Sequence, residues 1–383
     1  MPDAAASSRA HVLIAGVSTR AVAESAARAG YRVTAVDAFG DLDQHPGVRA
    51  LSMPRDFGAR FSATAAARAA TEIACDAVAY LSPFENHPSA VRRLAQRAML
   101  WGNNPAVLRR ARDPGRFAAM LEQQGVSGKE TRWLLKPRAS GGGHGIRWWV
   151  PGDRVPANAH VQPFVDGTPG SIVFVAAHGA AVTLGVTRQI IGDRAFGADG
   201  FRYCGSILAP ADDPHLGDAS RLLIAATEIV DAAARDLDLI GVNCIDFIAR
   251  DGIPVPIELN PRWSASMELV ERVYGVSVFG THADACSNGV LPTFDLAHAS
   301  ARHRATARAV VFARHDVVCG DTRTWLDDAT VRDVPHPGEH IRAARPVCTV
   351  FADGDDSASC YTSCVRRAER VYELLESWSS VPA

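Results

Sequence analysis

The opening of the chain alternates strand, helix and strand patterns, and this alternation constrains the fold more than any other feature. Residues 11–17 form a short apolar run, residues 20–29 have a helical pattern that Gly30 ends, and residues 31–37 form a second strand-like run. A third strand-like run follows at 77–81, then a helical stretch at about 86–99 and the start of another strand at 100–103. The pattern predicts an α/β domain over residues 1–102, built on a β-α-β unit.

The β-α-β unit ends on an acidic residue, Asp37, and resembles half of a dinucleotide-binding fold. Its first strand is followed by Gly16 but by no G-x-G-x-x-G sequence. A pyrophosphate would therefore lack the close backbone approach that this fingerprint provides. An NAD(P)-dependent oxidoreductase stays an alternative function, without the glycine motif that would support it.

Length and composition exclude several classes of protein. A chain of 383 residues with 47% hydrophobic residues predicts two or three domains with sizeable cores. The formal net charge of −2 gives no electrostatic footprint for nucleic acid, and the eight cysteines fit no zinc or iron–sulfur spacing. Residues 1–10 lack a signal-peptide pattern, and His178-Gly179 interrupts the apolar run at 171–186. We expect a cytoplasmic protein without a membrane span.

The middle of the chain combines helices with many strands. Helices are expected at 105–112, 115–124, 221–237, 267–274 and 277–287. Strands are expected at 133–136, 146–150, 160–164, 172–177, 181–186, 242–249 and 253–259. These elements predict a middle domain at 103–290. Strand patterns at 307–314 and 346–351 and an amphipathic helix at 364–378 predict a small β-rich C-terminal domain, 291–383, that ends in a helix.

One of the two lysines in the chain, Lys136, lies in an apolar strand just ahead of a glycine-rich loop at 140–145. The other lysine is Lys129, and arginine supplies the remaining cationic side chains. A lysine ammonium acts as a compact point charge, so its position beside exposed backbone N–H groups indicates a phosphate site. An exposed lysine next to a flexible turn is the alternative, since short glycine motifs also occur by chance.

A predicted hairpin brings acidic and amide side chains together. Asp251-Gly252 is a hairpin turn signal, and folding the chain there places Asp246 opposite the neighbourhood of Glu258. Glu258 and Asn260 are two residues apart, so they share a face of their strand. Carboxylate and amide oxygens are ligands suited to a magnesium ion that also binds substrate phosphates.

A purely structural role for these polar residues is the alternative. Pro254 and Pro256 predict that the second strand lies at a sheet edge, where charged side chains often only block aggregation. Three ligand-type residues that converge, together with Lys136 upstream, favour a phosphate–metal site over this alternative.

The combined motifs resemble the ATP-grasp superfamily. The resemblance depends on the sequence Glu258-Leu259-Asn260-Pro261-Arg262 after an Asp-bearing strand, and on Lys136-Pro137 with the glycine-rich loop upstream. It implies an α/β ATP-grasp fold preceded by a Rossmann-like domain. Residues 345–352 are similar to the small C-terminal domain of biotin-carboxylase-related members. Such enzymes use ATP and Mg²⁺ to phosphorylate a carboxylate, and an amine or another nucleophile then attacks the acyl phosphate.

The resemblance also implies roles for individual residues. Lys136 would contact the ATP phosphates as a catalytic residue, and Arg262 would stabilise the transferred phosphate or a substrate carboxylate. Asp246, Glu258 and Asn260 would hold magnesium. The other nucleotide-binding positions are in the loop that would close over the phosphates and in the segment whose backbone would bind adenine: Ser140, Gly141, Gly142, Gly143, His144, Gln162, Phe164 and Val165.

This sequence departs from the family pattern at two nucleotide-binding positions. Gln162 replaces the usual hinge glutamate, so the adenine contact depends more on backbone carbonyls. Pro114 stands where the family often has a lysine after the residue that matches Asp113, and Arg116 is the candidate replacement.

The implied activity is the ligation of a small-molecule carboxylate to a small-molecule amine, with no nucleic-acid or membrane partner and with a homodimer as a candidate assembly. The chain is similar to ATP-grasp proteins associated with one-carbon cofactor synthesis in methylotrophs. That similarity points to a methanofuran-like cofactor, for instance through the joining of glutamate to an amine such as tyramine. A nucleotide-binding regulator without catalysis is a further alternative, although the intact set of Lys136, Asp246, Glu258 and Asn260 argues against it.

Overall fold

The structure is a computed structural model that describes residues 9–115, 132–209, 213–250, 252–301 and 304–379. Its N-terminal part is a parallel sheet with the strand order β3-β2-β1-β4-β5. The strands are β1 (Arg9–Ala15), β2 (Tyr31–Asp37), β3 (Val48–Ser52), β4 (Ala77–Tyr80) and β5 (Met99–Trp101). The helices are α1 (Arg20–Arg28), α2 (Met53–Phe57), α3 (Ala63–Ala70) and α4 (Pro88–Leu94). The predicted β-α-β unit is confirmed.

Both faces of the parallel sheet are buried, which explains the uninterrupted apolar runs in its sequence. Val12 and Ile14 pack on the face covered by α1, whereas Leu13 and Ala15 pack on the face covered by α2, α3 and α4. The helix α4 is shorter than the predicted 86–99 helix, because a 3-10 helix at Phe84–Asn86 precedes it and Pro88 occupies its first turn.

An eight-stranded sheet, in which every neighbouring pair is antiparallel, forms the centre of the molecule, with the strand order β13-β12-β9-β10-β11-β14-β18-β16. A three-stranded sheet, β7-β6-β8, lies before it in the chain. These strands are β6 (Trp133–Pro137), β7 (Arg147–Trp149), β8 (Ala159–Pro163), β9 (Thr168–Ala177), β10 (Ala180–Ile191), β11 (Tyr203–Leu208), β12 (Gly241–Arg250) and β13 (Ile253–Asn260). β13 is an edge strand, as its two prolines predicted.

Helices pack on both faces of the central sheet. They are α5 (Pro105–Ala111), α6 (Ala219–Leu237), α7 (Ser266–Tyr274), α8 (Val278–Asn288) and α9 (Leu296–Ser300). Apolar residues of α6, among them Leu222 and Val230, pack against Ile245 and Phe247 of β12. The helix predicted at 115–124 and the residues Lys129, Arg116 and Asp251 lie outside the described residues.

The C-terminal part adds strands to the same central sheet. Its strands are β14 (Ala305–Phe312), β15 (Val317–Val318), β16 (Val331–Arg332), β17 (His340–Ile341) and β18 (Pro346–Gly354), and its helix is α10 (Ser357–Ser379). α10 begins earlier than the predicted 364 and packs Cys360, Cys364 and Ala368 into the core formed with β14 and β18. The domain divisions at 102 and 290 stay predictions, and the central sheet continues across the second of them.

A buried charge cluster joins the N-terminal and C-terminal parts. Arg20, at the start of α1, is 1% exposed. Its Nε lies 2.8 Å from Asp333 Oδ1, and its Nη2 lies 2.6 Å from Oε1 of Glu268 in α7. All eight cysteines are free. In the described ranges, no helix combines the length and hydropathy that crossing a membrane would need, and the cellular location stays a prediction.

Candidate active site

The hairpin of β12 and β13 places Asp246 directly opposite Glu258, which confirms the predicted convergence. Cys244 lies opposite Asn260, and the register shifts by one residue after Asp246. Alternate residues of the two strands, Ile245 and Leu259, belong to the apolar cluster that includes α6. Since successive side chains of a strand point to opposite faces, burial of these apolar residues turns the acidic pair to the other face.

Asp246 accepts hydrogen bonds from three oxygen or nitrogen donors and a longer one, 3.8 Å, from Cys244 Sγ. Ser171 Oγ and Gln189 Nε2 donate to Asp246 Oδ1 over 2.7 and 2.8 Å, and Asn260 Nδ2 donates to Asp246 Oδ2 over 2.8 Å. Burial, and then the negative charge of Glu258, raise the pKa of Asp246 to about 6. The site therefore favours the neutral form of this carboxyl, first because burial removes water from it and second because the Glu258 carboxylate lies opposite.

Glu258 has an ion-pair partner in Arg112, which donates a hydrogen bond to it. Burial alone would raise the pKa of the Glu258 carboxyl, but the charges of Arg112 and Lys136 outweigh burial and hold that pKa below its usual value. Arg112 also donates from Nε to Asn86 Oδ1 over 3.0 Å. Arg112 therefore belongs to the site, although no local sequence pattern indicated it.

Lys136 lies in β6 and is 9% exposed. Burial lowers the pKa of its ammonium, while Glu258 and Asp246 act against that decrease, which shows that the lysine approaches the acidic pair. No side chain or carbonyl in the described residues forms a hydrogen bond or an ion pair with Lys136 Nζ. A largely buried lysine whose ammonium has no protein partner can receive an anionic group.

Arg262, the other predicted catalytic residue, is engaged by protein groups. Its Nε and Nη2 lie 2.9 and 2.8 Å from Glu85 Oε1, its Nη2 donates to Asn260 Oδ1 over 3.0 Å, and its Nη1 donates to the Trp263 carbonyl. Glu85 is 1% exposed and follows β4 of the parallel sheet. Arg262 thus orients Asn260, and its contact with phosphate or with substrate stays a prediction.

The glycine-rich loop packs against residues 201–203. The Tyr203 amide donates to the Gly142 carbonyl over 3.0 Å. A Cβ atom at Gly143 would lie 1.8 Å from the Phe201 carbonyl oxygen, so only glycine fits this contact. Ser140 Oγ donates to the Pro137 carbonyl over 3.3 Å, and the His144 amide donates to the Gly141 carbonyl over 3.2 Å. The loop therefore covers one end of β6 near Lys136.

The predicted adenine segment follows β8. Gln162 is 7% exposed and lies opposite Leu134 of β6, so it is part of the same small sheet as Lys136. The Phe164 amide donates to the Arg132 carbonyl over 3.1 Å, which leaves that amide unavailable to a base. The ring of Phe164 lies 4.9 Å from that of Trp148, and Val165 is buried. The role of this segment in adenine binding stays a prediction.

Several residues around the acidic pair were not predicted from the sequence to be site residues. Glu85 could have been suspected, because ligands bind at the carboxyl ends of parallel strands and Glu85 follows such an end. Ser171 carried no signal, since it reaches Asp246 only through the pairing of β9 with β12. Gln189 lies in β10, which pairs with β9, and its 2.8 Å contact with Asp246 assigns it to the site.

Asp37, the acidic residue of the alternative dinucleotide site, already accepts hydrogen bonds from its own chain with both carboxylate oxygens. Asp37 is 1% exposed, and its Oδ2 accepts hydrogen bonds from Thr19 N and Thr19 Oγ1 over 3.1 and 2.6 Å. Its Oδ1 accepts from the amides of Phe39 and Gly40 over 3.0 and 2.7 Å. An acidic residue that must bind a ribose hydroxyl needs a free oxygen, so this geometry argues against the oxidoreductase.

Comparison with known families agrees with this geometry. A family model described as an ATP-grasp domain matches residues 107–266. The chain contains an ATP-grasp domain. The matched range includes Lys136, the glycine-rich loop and the β12–β13 hairpin, so the acidic pair lies inside this ATP-grasp domain.

Solved structures extend the likeness to nearly the whole chain. The biotin carboxylase domain of Hydrogenobacter thermophilus 2-oxoglutarate carboxylase, solved as a dimer with MgADP and bicarbonate, has a TM-score of 0.66 at 14% identity and covers 95% of this chain and 89% of its own. An L-amino acid ligase from Bacillus licheniformis has a TM-score of 0.64 at 15% identity, with coverages of 94% and 97%.

An N5-carboxyaminoimidazole ribonucleotide synthetase in its ADP complex has a TM-score of 0.64 at 16% identity, and the similarity covers 97% of this chain and 98% of that one. No curated protein matches the chain by sequence. At these identities the likeness shows the fold, and it confirms the predicted α/β ATP-grasp architecture.

Proposed function

We propose that the protein is an ATP-dependent ligase that activates a substrate carboxylate as an acyl phosphate and joins it to an amine. The observation that carries this proposal is the buried and unpartnered Lys136 beside the opposed carboxylates Asp246 and Glu258. Phosphoryl transfer requires positioning and charge neutralisation more than a covalent nucleophile, and this arrangement supplies both.

The residues present fit Mg²⁺ bound together with ATP. The raised pKa of Asp246 comes from burial and from Glu258, and a divalent cation would relieve both causes. The described residues contain no group of three or more His, Cys, Asp or Glu side chains that could enclose a metal. A magnesium ion here would take Asp246, Glu258 and Asn260 as its protein ligands and fill its other positions with phosphate oxygens and water.

Each residue of the site then has a separate role. Lys136 neutralises the phosphates, and the loop at Gly142 and Gly143 excludes water from them. Mg²⁺, when bound, neutralises charge on the transferred phosphoryl group. Arg262 holds Asn260 in place, and Arg112 holds Glu258. Fixed ligands of this kind lower the reorganisation that the reaction needs.

Turnover with paired substrates tests the proposal. Purified protein with ATP and Mg²⁺ should release ADP when a carboxylate and an amine are both supplied, and mass spectrometry should find the amide. Glu258→Gln should abolish turnover, whereas Glu72→Gln, on the exposed surface, should not. Magnesium-dependent thermal stabilisation by ATP without turnover on a broad panel would favour a regulator, and stabilisation by NAD alone would favour the oxidoreductase.

For the substrates, we propose glutamate and an amine such as tyramine, within the synthesis of a methanofuran-like cofactor, on the sequence similarity described above. A homodimer is proposed for the assembly. Turnover of unrelated amino acids but never of glutamate with tyramine would reject the substrate proposal and leave the ligase proposal intact. Light scattering of the purified protein that gives a monomer mass would reject the dimer.

A further inference from the structure

The small sheet β7-β6-β8 carries a row of polar side chains that extends the nucleotide site beyond Lys136. His160 of β8 lies directly opposite Lys136 of β6, and Gln162 lies two residues further along β8. Residues opposite each other in an antiparallel pair share a face, and so do residues two apart on one strand. Lys136, His160 and Gln162 therefore project from the same face of the small sheet.

That face is turned towards the acidic pair of the central sheet. The loop that follows β6 joins the two sheets, because the amide of Tyr203, the first residue of β11, donates to the Gly142 carbonyl over 3.0 Å. Burial lowers the pKa of both Lys136 and His160, and the Glu258 carboxylate acts in the opposite direction on both. Both side chains thus face the cleft between the small sheet and the central sheet.

His160 presents one free ring nitrogen to this cleft. The side chain is half-buried. Its Nδ1 is sealed from solvent and has no hydrogen-bond partner, whereas its Nε2 is accessible and has no partner among the described residues either. No carboxylate of those residues forms an ion pair with the ring. A polar ring packed without a protein partner loses hydrogen bonds to water, and a ligand in the cleft can replace them.

The ring of His160 is neutral beside the lysine. Burial, and then the charge of Lys136, lower the pKa of His160 to about 4. A neutral imidazole keeps one N–H group, on either of its two nitrogens. A proton on Nε2 can meet an acceptor in the cleft, whereas a proton on Nδ1 would stay buried without an acceptor. The geometry therefore favours a ring that donates from Nε2.

We propose that His160 is a further ATP-binding residue, whose Nε2 donates a hydrogen bond to a phosphate oxygen beside Lys136. This inference rests on the proposed function, in which Lys136 contacts the phosphates. A phosphate is the expected acceptor because His160 lies at the level of Lys136, whereas the predicted adenine segment begins two residues further along β8, at Gln162. The neutral ring adds a donor without adding charge, so it orients a phosphate that Lys136 neutralises.

The affinity of the full-length protein for MgADP, measured by calorimetry, tests this role. His160→Leu should bind MgADP about tenfold or more weakly than the wild type, because a hydrogen bond to a charged group is lost. His160→Gln keeps an amide donor near the position of Nε2 and should restore most of the affinity. The matched control is Arg147→Gln, since Arg147 is exposed and lies opposite Leu135, on the other face of the small sheet. The control should bind like the wild type, and the unfolding midpoint without nucleotide should be the same in all variants.

Two further measurements separate a phosphate contact from other roles of His160. The loss of affinity in His160→Leu should be equal for MgADP and its 2′,3′-dideoxy analogue, which share their phosphates but not their ribose hydroxyls. A smaller loss with the analogue would assign His160 to the ribose and overturn the proposal. In spectra of ¹⁵N-histidine-labelled protein, MgADP should move the Nε2 resonance of His160, assigned with His160→Gln.

Wild-type affinity in His160→Leu, or an equal loss in Arg147→Gln, would overturn the proposal. A His160 resonance that stays in place while calorimetry shows MgADP binding would also overturn it, and the proposed function would then stand. A wild-type protein that does not bind MgADP would overturn the proposed function and this inference together.

Discussion

Asn260 points the nitrogen of its side-chain amide at Asp246, with 2.8 Å between Asn260 Nδ2 and Asp246 Oδ2. The amide oxygen points instead at Arg262, 3.0 Å from its Nη2. An amide must use its oxygen to bind a metal ion. A magnesium ion shared by Asp246 and Asn260 would therefore require this amide to rotate and to exchange both hydrogen bonds.

Replacement of Lys136 should affect chemistry more than folding. Lys136→Met removes an ammonium that has no partner in the described part of the chain, and donors aimed at transferring groups typically contribute about 10²–10³ in kcat. We expect a loss of that size in ADP release with little change in the unfolding midpoint. Lys129→Met, at the only other lysine, is the control. Wild-type turnover in Lys136→Met would remove the basis of the proposed function.

Magnesium-dependent ATP binding should weaken as the pH falls below about 6. The pKa of Asp246 is raised to about 6, so protons compete with the metal for this carboxylate below that pH. We expect the affinity, measured by calorimetry, to fall up to about tenfold per pH unit in this range. His160 does not interfere, because burial, and then Lys136, lower its pKa to about 4. An affinity that is constant across this range would contradict the assignment of Asp246.

The raised pKa of Asp246 also predicts how the folding stability of the protein changes with pH. A carboxyl whose pKa is higher in the folded than in the unfolded chain binds more protons when folded, so its contribution favours folding at low pH and is lost as the pH rises through about 6. Without nucleotide, Asp246→Asn should therefore melt at a higher temperature than the wild type at pH 7. This difference between variant and wild type should be smaller at pH 5. A melting temperature lower than that of the wild type at pH 7 would show that the hydrogen bonds to Asp246 outweigh its charge.

The glycine-rich loop offers a matched pair of substitutions. Gly142 and Gly143 both have positive φ, 59° and 74°, so alanine strains the backbone at either position. Only at Gly143 does the added Cβ meet the Phe201 carbonyl, whereas nothing lies within 4 Å of a Cβ at Gly142. We expect Gly143→Ala to raise the KM for ATP about tenfold more than Gly142→Ala does. Equal KM values for the two variants would mean that loop packing on Phe201 does not affect nucleotide binding.

The ion pair between Glu85 and Arg262 should contribute strongly to stability. Both side chains are buried, and removal of one partner leaves the other charge unpaired, at a cost of about 3–5 kcal/mol. Urea unfolding of Glu85→Gln should show this loss, with the exposed Glu72→Gln as the control. An unchanged free energy of unfolding in Glu85→Gln would contradict the buried pair.

The local patterns of the sequence determined the β-α-β unit, the β12–β13 hairpin and the approach of Asp246 to the neighbourhood of Glu258, whereas the exact register was seen only in the structure. These features depend on side-chain periodicity and on a short turn, which act between residues close in the chain. Lys136 and the glycine-rich loop could be recognised for the same reason, because they lie close together in the sequence.

Only the tertiary structure decided which groups complete the site. Arg112 and Glu85 reach Glu258 and Arg262 over 146 and 177 residues of chain, and no local pattern encodes such contacts. The same packing turned the amide nitrogen of Asn260 towards Asp246. Partners of buried charges are chosen by the folded geometry, because desolvation makes each unpaired charge costly wherever its counter-ion lies in the sequence.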